Sequence, residues 1–325
     1  MKNIVLIVLI FAALLFLAPL LWNGIFPKGS ISASADYPAP EVFRLQLVEK
    51  DEVIEIEAAD YLTGCLWAQI PPGYHLEALK AQAAASFTYA LRLSMGNRSA
   101  DALQGADLSN DNVTNQPFFT EERARAHYGA EYDMYYDKIR QAAEYGAGRV
   151  LTFANEPIYA VYHGVSAGAT NTAQNVWGIS FPYLQSVSSD WDKEFINYLC
   201  TNEYTVLDVR DSLLAFDNDI IMPLDYGKWF TDYTADRAGY IMAVSARNLT
   251  LSGGDLWRIL NLRSAAFVIE YTGEVFKVTT KGHGHGVGLS QFGADYMAQK
   301  GYNAEEILNH YYTDIIIRDV KKPNQ

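Results

Sequence analysis

Three stretches of this chain combine residue types that could do chemistry. Gly282-His283-Gly284-His285-Gly286-Val287-Gly288-Leu289-Ser290-Gln291-Phe292-Gly293-Ala294 alternates glycine with two histidines, directly ahead of a helical pattern. Alternating glycine lets a backbone approach a ligand closely, and amide groups at a helix start could hold an anion. A His-x-His pair could give a metal two ligands, but no Asp, Glu or Cys accompanies it in sequence, so a metal site is not expected. The Gly-Lys-Ser/Thr ending of a phosphate loop is missing as well. Two roles stay open for His285: a direct part in catalysis, or orientation of the loop through its ring hydrogen bonds.

The second stretch is Tyr162-His163-Gly164-Val165-Ser166-Ala167-Gly168-Ala169-Thr170, followed by Asn175-Val176-Trp177-Gly178. The third is Gly64-Cys65-Leu66-Trp67-Ala68-Gln69-Ile70-Pro71-Pro72, leading into Leu76-Glu77-Ala78-Leu79-Lys80-Ala81-Gln82-Ala83. Trp67, Tyr74, Trp177 and Tyr183 are aromatic groups that could stack on a sugar, although a place in the core is the more common fate of each.

The elements that must position these stretches follow from periodicity. Leu45–Val48 and Val53–Ile56 read as short strands around an acidic turn. His75 to Met95 reads as a helix, with Leu76, Leu79, Ala83, Phe87, Ala90 and Leu91 near one face. Leu103–Phe119 reads as a long polar loop, and helix resumes from an N-cap at Thr120 to about Tyr145, broken near Gly129. A hairpin is expected from Arg149–Phe153 and Ile158–Tyr162, turning at Asn155-Glu156-Pro157. Strands near Tyr240–Ala246, Ala266–Tyr271 and Val275–Thr280 precede helices at about Leu289–Lys300 and Ala304–His310. Mixed strands and helices without regular βαβ alternation predict the α+β class.

The chain carries 38 acidic against 25 basic residues, a net charge of -13. That balance argues against nucleic acid, whose binding rests on Lys and Arg neutralising phosphates. The two cysteines, Cys65 and Cys200, lack any CxxC spacing; a bridge between them and two unpaired thiols both stay open. An uncharged apolar run from Ile4 to Trp22 is long enough to cross a bilayer as a helix. The small-residue site Ala33-Ser34-Ala35 lies well downstream of it, which favours a retained anchor over a cleaved signal. The expected organisation is a membrane anchor or signal segment over residues 1–26, a tether over 27–40 and one extracytoplasmic domain over 41–325.

Together these motifs resemble the stage II sporulation protein D family, which also includes amidase-enhancer proteins. The likeness rests on Gly284 to Ala294 and on Glu306-Ile307-Leu308-Asn309-His310-Tyr311-Tyr312. It rests too on Glu77 to Ala83 with Thr88-Tyr89, and on Val176-Trp177-Gly178 with Pro182-Tyr183-Leu184. It runs from about Val42 to Val320. The resemblance implies a membrane-anchored, peptidoglycan-directed protein of sporulation and engulfment. Members resemble lytic transglycosylases acting on glycan strands stripped of peptide. In that chemistry one Glu protonates the glycosidic oxygen and then accepts the proton of the attacking hydroxyl.

Two departures qualify that expectation. Where the family carries the acid/base Glu in a Glu-Met-Pro-like segment, this chain reads Gln69-Ile70-Pro71, and an amide neither delivers nor accepts that proton. Some members carry zinc in the next loop; here Ser109, Thr114 and Asn115 stand at the Cys, His and Cys positions. The resemblance places Ser166, Gly168, His283, His285, Gly286, Ser290 and Gln291 against substrate beside Gln69, with no metal and no cofactor. The expected role is engagement of glycan strands with weakened or absent cleavage, the membrane being held through residues 4–22. The alternatives are a transglycosylase using another carboxylate, Glu77 being the nearest, and a recruiter of another sporulation cell-wall hydrolase such as an amidase.

Overall fold

A computed structural model describes residues 37, 39–95, 103, 105–111, 115–221 and 223–320. The apolar run 4–22 lies outside these residues, and no helix among those described is long and apolar enough to cross a membrane. The architecture is α+β, as the mixed pattern predicts.

The centre is one helix. Strands β1 (Val42–Leu47) and β2 (Glu52–Glu57) form an antiparallel pair, and helices α1 (Ala58–Gln69) and α2 (Leu76–Ser94) follow. His75 caps α2 by accepting from the Glu77 amide. Sequence periodicity assigns α2 one buried face, but it is buried nearly all round. Leu79, Ala83, Phe87 and Leu91 enter a core with Tyr61, Leu62, Trp67 and Ile139. Ala78, Ala81, Ala84 and Ala85 enter a second core with Leu151, Leu289, Ala294, Ile307 and Tyr311. Alanine both favours helix and leaves room for neighbours on every side. A helix apolar all round belongs in the interior.

Helix α3 (Glu121–Tyr128) starts at the predicted cap, where the Thr120 side chain accepts from the Arg123 amide. Gly129 separates it from α4 (Ala130–Ala147), which packs on α2. The contact is close at Gly146, where a Cβ would lie 2.6 Å from the Ala83 carbonyl carbon. Helix α1 was not foreseen: its apolar residues are not confined to one face, because it too is mostly buried.

The expected hairpin forms only in part. Strand β4 (Arg149–Phe153) pairs with a two-residue β5 (Glu156–Pro157), since Pro157 has no N–H to extend the ladder. The chain then turns away, and β6 (Tyr162–His163) pairs in parallel with β13 (Leu289–Ser290). That pairing shortens the expected helix at 289, so α8 spans Gln291–Gln299 with Ser290 as its cap. Helix α9 (Ala304–Tyr311) and β14 (Ile316–Asp319), antiparallel to β4, close the region.

Between these parts, residues 199–281 build their own core around Val209, Leu213, Trp229, Leu256 and Val278. Two three-stranded sheets, β7 (Leu199–Thr205) with β11 (Phe267–Tyr271) and β12 (Val275–Lys281), and β8 (Thr231–Ala235) with β9 (Ile241–Ala246) and β10 (Leu249–Leu251), supply its strands, and α6 (Val206–Phe216) and α7 (Gly253–Ile259) its helices; the short elements β3 (Leu108–Ser109) and α5 (Ala173–Trp177) lie outside it. Both cysteines are free: Cys65 is buried in the first core and Cys200 lies on the strand Leu199–Thr205.

Gly146→Ala should destabilise the fold by about 1–3 kcal/mol, the usual cost of overpacking. Urea unfolding checks it: a midpoint unchanged from wild type would mean that α2 and α4 can separate freely.

Candidate functional site

Gln69 is the last residue of α1, and Pro71-Pro72 follow at once, so its side chain is delivered at a fixed helix end. It lines a cavity of about 480 Å³ together with Tyr89, Asn115, Gln116, Tyr162, His163, His285 and Gln291. The sequence brings these together from six places: the end of α1, α2, the loop before α3, β6, the Gly/His loop and the start of α8. No carboxylate or ammonium group is among the lining residues.

The amide of Gln69 is held on both sides. Its Nε2 donates to the Pro117 carbonyl at 2.8 Å, and the Tyr162 hydroxyl donates to its Oε1. Gln116 is fixed likewise, with Nε2 donating to the Ser86 carbonyl at 2.9 Å and Oε1 2.6 Å from the same Tyr162 hydroxyl. Gln291 Nε2 donates to the Gln69 carbonyl at 3.0 Å and to Gln82 Oε1 at 3.2 Å. Burial, with the Cys65 thiol as a lesser contributor, pushes the Tyr162 hydroxyl well above its ordinary range, so it stays a neutral donor. A planar group flanked by one donor and one carbonyl acceptor suits an amide or a protonated carboxyl. It does not suit a carboxylate, whose second oxygen would face the Pro117 carbonyl.

The Gly/His loop closes the cavity. Gly286 has φ +80°, and a Cβ there would run into the Tyr240 ring, so the position requires glycine. Its carbonyl accepts from the Asn171 amide at 2.7 Å. His285 Nδ1 accepts from the Val287 amide at 3.0 Å, and its ring also bonds the Tyr162 backbone. Of the two roles left open for His285, orientation of the loop is the one these bonds describe. Burial pushes His285 down to about 4. His163 contacts the Val287 carbonyl through Nδ1 at 3.2 Å, and its buried Nε2 has no partner among the described residues. Burial, with His285 and His283 nearby, pushes it down to about 3. Both rings are neutral at physiological pH.

Behind the cavity sits a group that sequence reasoning missed. Asp192 is fully buried; one oxygen accepts from the Ser166 amide at 2.8 Å and the other from the Ser290 hydroxyl at 3.0 Å. Burial pushes it up to about 6, against the pull of these hydrogen bonds. Nothing in the spacing of Trp191-Asp192-Lys193 signals this role.

The residues singled out in sequence divide accordingly. Gln69, His285 and Gln291 line the cavity. Ser166 and Ser290 are buried and meet at Asp192. Gly168 accepts from the Ser189 amide, and His283 exchanges backbone bonds with Val165. Trp67 is core, stacked on Tyr132 at 4.7 Å, and Tyr183 is also buried. Tyr74 is partly buried against the first core. Trp177 is 44% exposed and lies 5.2 Å from the His285 ring, open to a ligand. Glu77 is engaged elsewhere: it pairs with Lys80 at 2.7 Å and accepts from the Ala304 amide at 2.9 Å.

The loop before α3 is tied by polymer contacts. Leu108–Ser109 runs parallel to β1, Asp107 accepts from the Arg44 amide, and Asn110 accepts from the Val48 amide. Thr114 lies outside the described residues. Ser109 and Asn115 offer neither thiolate nor imidazole, so the donor set does not fit zinc.

Residues 48–153 match the family model described as stage II sporulation protein. Across 286 residues the chain is 32% identical to stage II sporulation protein D of Bacillus subtilis (strain 168), covering 88% of this chain and 80% of that protein. Identity to the stage II sporulation protein D of Bacillus amyloliquefaciens is 34% over 271 residues, 82% of this chain and 76% of the relative. This chain belongs to the stage II sporulation protein D family. Beyond these, it is 24% identical over 303 residues to an amidase enhancer of Bacillus subtilis, spanning 77% of this chain but 39% of that protein. Within the family match, residues 48–153 include Gln69 and Gln116 but neither Tyr162 nor the Gly/His loop, so the cavity is completed by chain beyond it.

The buried groups set a pH dependence. A depressed histidine contributes stability above its ordinary value near 6.5, lost as pH falls towards the folded values of about 4 for His285 and about 3 for His163. Asp192, raised to about 6, acts oppositely: its contribution is present in acid and lost as pH rises through that value. Each proton is worth at most about 1.4 kcal/mol per pH unit. Stability should therefore fall from about pH 7 to about pH 5. Denaturant titrations should show that fall steepened in Asp192→Asn and flattened in His285→Gln; equal slopes in all three proteins would contradict the assignment.

Proposed function

We propose that this chain engages peptidoglycan glycan strands at the Gln69 cavity without the transglycosylase chemistry of its family, working in sporulation from a membrane anchor formed by residues 4–22. The observation that carries the reading is the Gln69 amide, held between the Pro117 carbonyl and the Tyr162 hydroxyl in a cavity lined by no carboxylate. Amide and imidazole groups offer donors and acceptors to sugar hydroxyls and N-acetyl groups. The exposed Trp177 beside His285 supplies an aromatic face of the kind sugars stack on. Glu77 gives no substitute acid, since Lys80 and the Ala304 amide occupy both its oxygens. Lys80 and that amide hold its carboxyl below the usual range against the opposing pull of burial.

A second reading has the domain recruit or stimulate an amidase. The similarity to a protein named amidase enhancer favours it. The two are compatible if the glycan is the place of recruitment.

Restoring the carboxyl tests the first reading. In Gln69→Glu the Pro117 carbonyl, which can only accept, would favour the protonated acid and raise its pKa towards that of a general acid, against the pull of the Tyr162 hydroxyl, which donates to the other oxygen. The full chain in detergent and this variant would be incubated with peptide-free glycan strands, and released sugars examined for anhydro ends by mass spectrometry. The expected result is no product from the natural protein and cleavage by the variant, raised by about 10²–10⁴, the usual worth of such a group. Cleavage by the natural protein would sink the proposal.

A further inference from the structure

The turn between β8 and β9 leaves the core of residues 199–281 and ends against the Gly/His loop. Asp236 shapes this turn. One of its carboxylate oxygens accepts from the Ala238 and Tyr240 amides, each at 2.9 Å, and its own amide donates to the Tyr240 carbonyl at 2.9 Å. Tyr240 is thereby aimed at the site. It is 1% exposed, its hydroxyl accepts from the Ala167 amide at 3.1 Å, and its ring occupies the space that a side chain at Gly286 would need. Ala167 lies in the Ser166–Gly168 segment and Gly286 in the Gly/His loop, so one side chain stands against both. It packs with Ala167 and Ala266 in a small cluster apart from the larger cores.

A second set of bonds ties the same turn to the same loop. Asn175, on α5, reaches the other Asp236 oxygen at 3.5 Å and donates to Asn171 Oδ1 at 3.0 Å. The Asn171 amide in turn donates to the Gly286 carbonyl at 2.7 Å. Gly286 is thus held by its carbonyl and packed against Tyr240. His285 precedes it, with Nδ1 on the Val287 amide, and Trp177, beside the His285 ring, ends the helix that carries Asn175.

We propose that Asp236 and Tyr240 are positioning residues: acting through Gly286 and α5, they set the His285 ring and Trp177 at the mouth of the Gln69 cavity, which neither of them lines. The physical need comes from the loop itself. Gly282, Gly284, Gly286 and Gly288 all take positive φ. A segment so rich in glycine has many conformations open to it and loses more freedom on folding than any other kind, so contacts from outside have to select one. Residues 199–281, which contribute nothing to the cavity lining, supply that contact through one turn. The consequence for sugar binding rests on the glycan reading of the cavity; the positioning of His285 concerns this chain alone.

Nitrogen-15 spectra of the histidine rings read the positioning without any ligand. Because Nδ1 accepts from the Val287 amide, His285 in the full chain in detergent should show a single tautomer, protonated at Nε2. Asp236→Ala strips the turn of its acceptor and should replace that signature with the averaged one of a free imidazole. Asp236→Asn keeps an oxygen for both amides and should restore the wild-type spectrum. Asn175→Ala, at an exposed position, cuts the second set of bonds and should move the signature the same way by a smaller amount; it decides the matter if Asp236→Ala does not fold. Val209→Ala, buried in the core of residues 199–281, should lower the urea midpoint and leave His285 unmoved. A disaccharide from peptide-free glycan strands, titrated calorimetrically, should bind Asp236→Ala at least about tenfold more weakly than wild type and Asp236→Asn within about twofold. An unchanged His285 signature in folded Asp236→Ala, or one disturbed as much by Val209→Ala, would overturn the positioning while leaving the glycan reading standing. A wild type that binds no disaccharide would overturn the glycan reading, and the ring signature would still decide the positioning.

Discussion

The hydroxyl of Tyr162 joins three distant parts of the chain at one point. It faces the amide oxygens of Gln69, at the end of α1, and of Gln116, in the loop before α3. Its own strand is fixed by parallel pairing with Leu289–Ser290, the residues that end the Gly/His loop. A buried polar group left without partners costs about 1–3 kcal/mol, and the single hydrogen of this hydroxyl serves one of the two amide oxygens at a time. Their nitrogens bond the Pro117 and Ser86 carbonyls, which leaves the amide orientations no freedom.

That joint is made of neutral groups, and the neutrality extends outward. His163 and His285 are held uncharged by burial, and Tyr162 is held protonated. Asp192, a buried carboxylate nearby, has its oxygens taken by the Ser166 amide and the Ser290 hydroxyl. It braces the two loops from behind. The cavity therefore presents neutral donors and acceptors, and its lining residues include no carboxyl of the kind a proton-transfer mechanism uses.

Much of this was legible in the sequence, for physical reasons. The Thr120 cap, the break at Gly129 and the strands at 241–246, 267–271 and 275–281 announce themselves through local propensity and alternation. The Gly/His loop was legible because Gly286 lies against Tyr240 and can carry no side chain. Helix α1 was not, since burial on most sides erases the amphipathic period that periodicity reads. The fate of Tyr162 depended on a parallel pairing across more than a hundred residues, which no local signal specifies. Asp192 likewise became visible only once Ser166 and Ser290 were placed on either side of it. Trp67 and Trp177 are the same residue type in motifs of equal promise, and only packing separates core from surface.

The central claim is that the neutral cavity around Gln69 holds a glycan and leaves it intact. Side-chain amide and imidazole resonances of Gln69, Gln116 and His285 in isotope-labelled protein report on that cavity directly. On addition of a peptide-free glycan fragment, the account predicts that these resonances shift together and that the fragment is recovered uncut. Resonances that stay in place while the fragment binds elsewhere, or a fragment returned shortened, would contradict it.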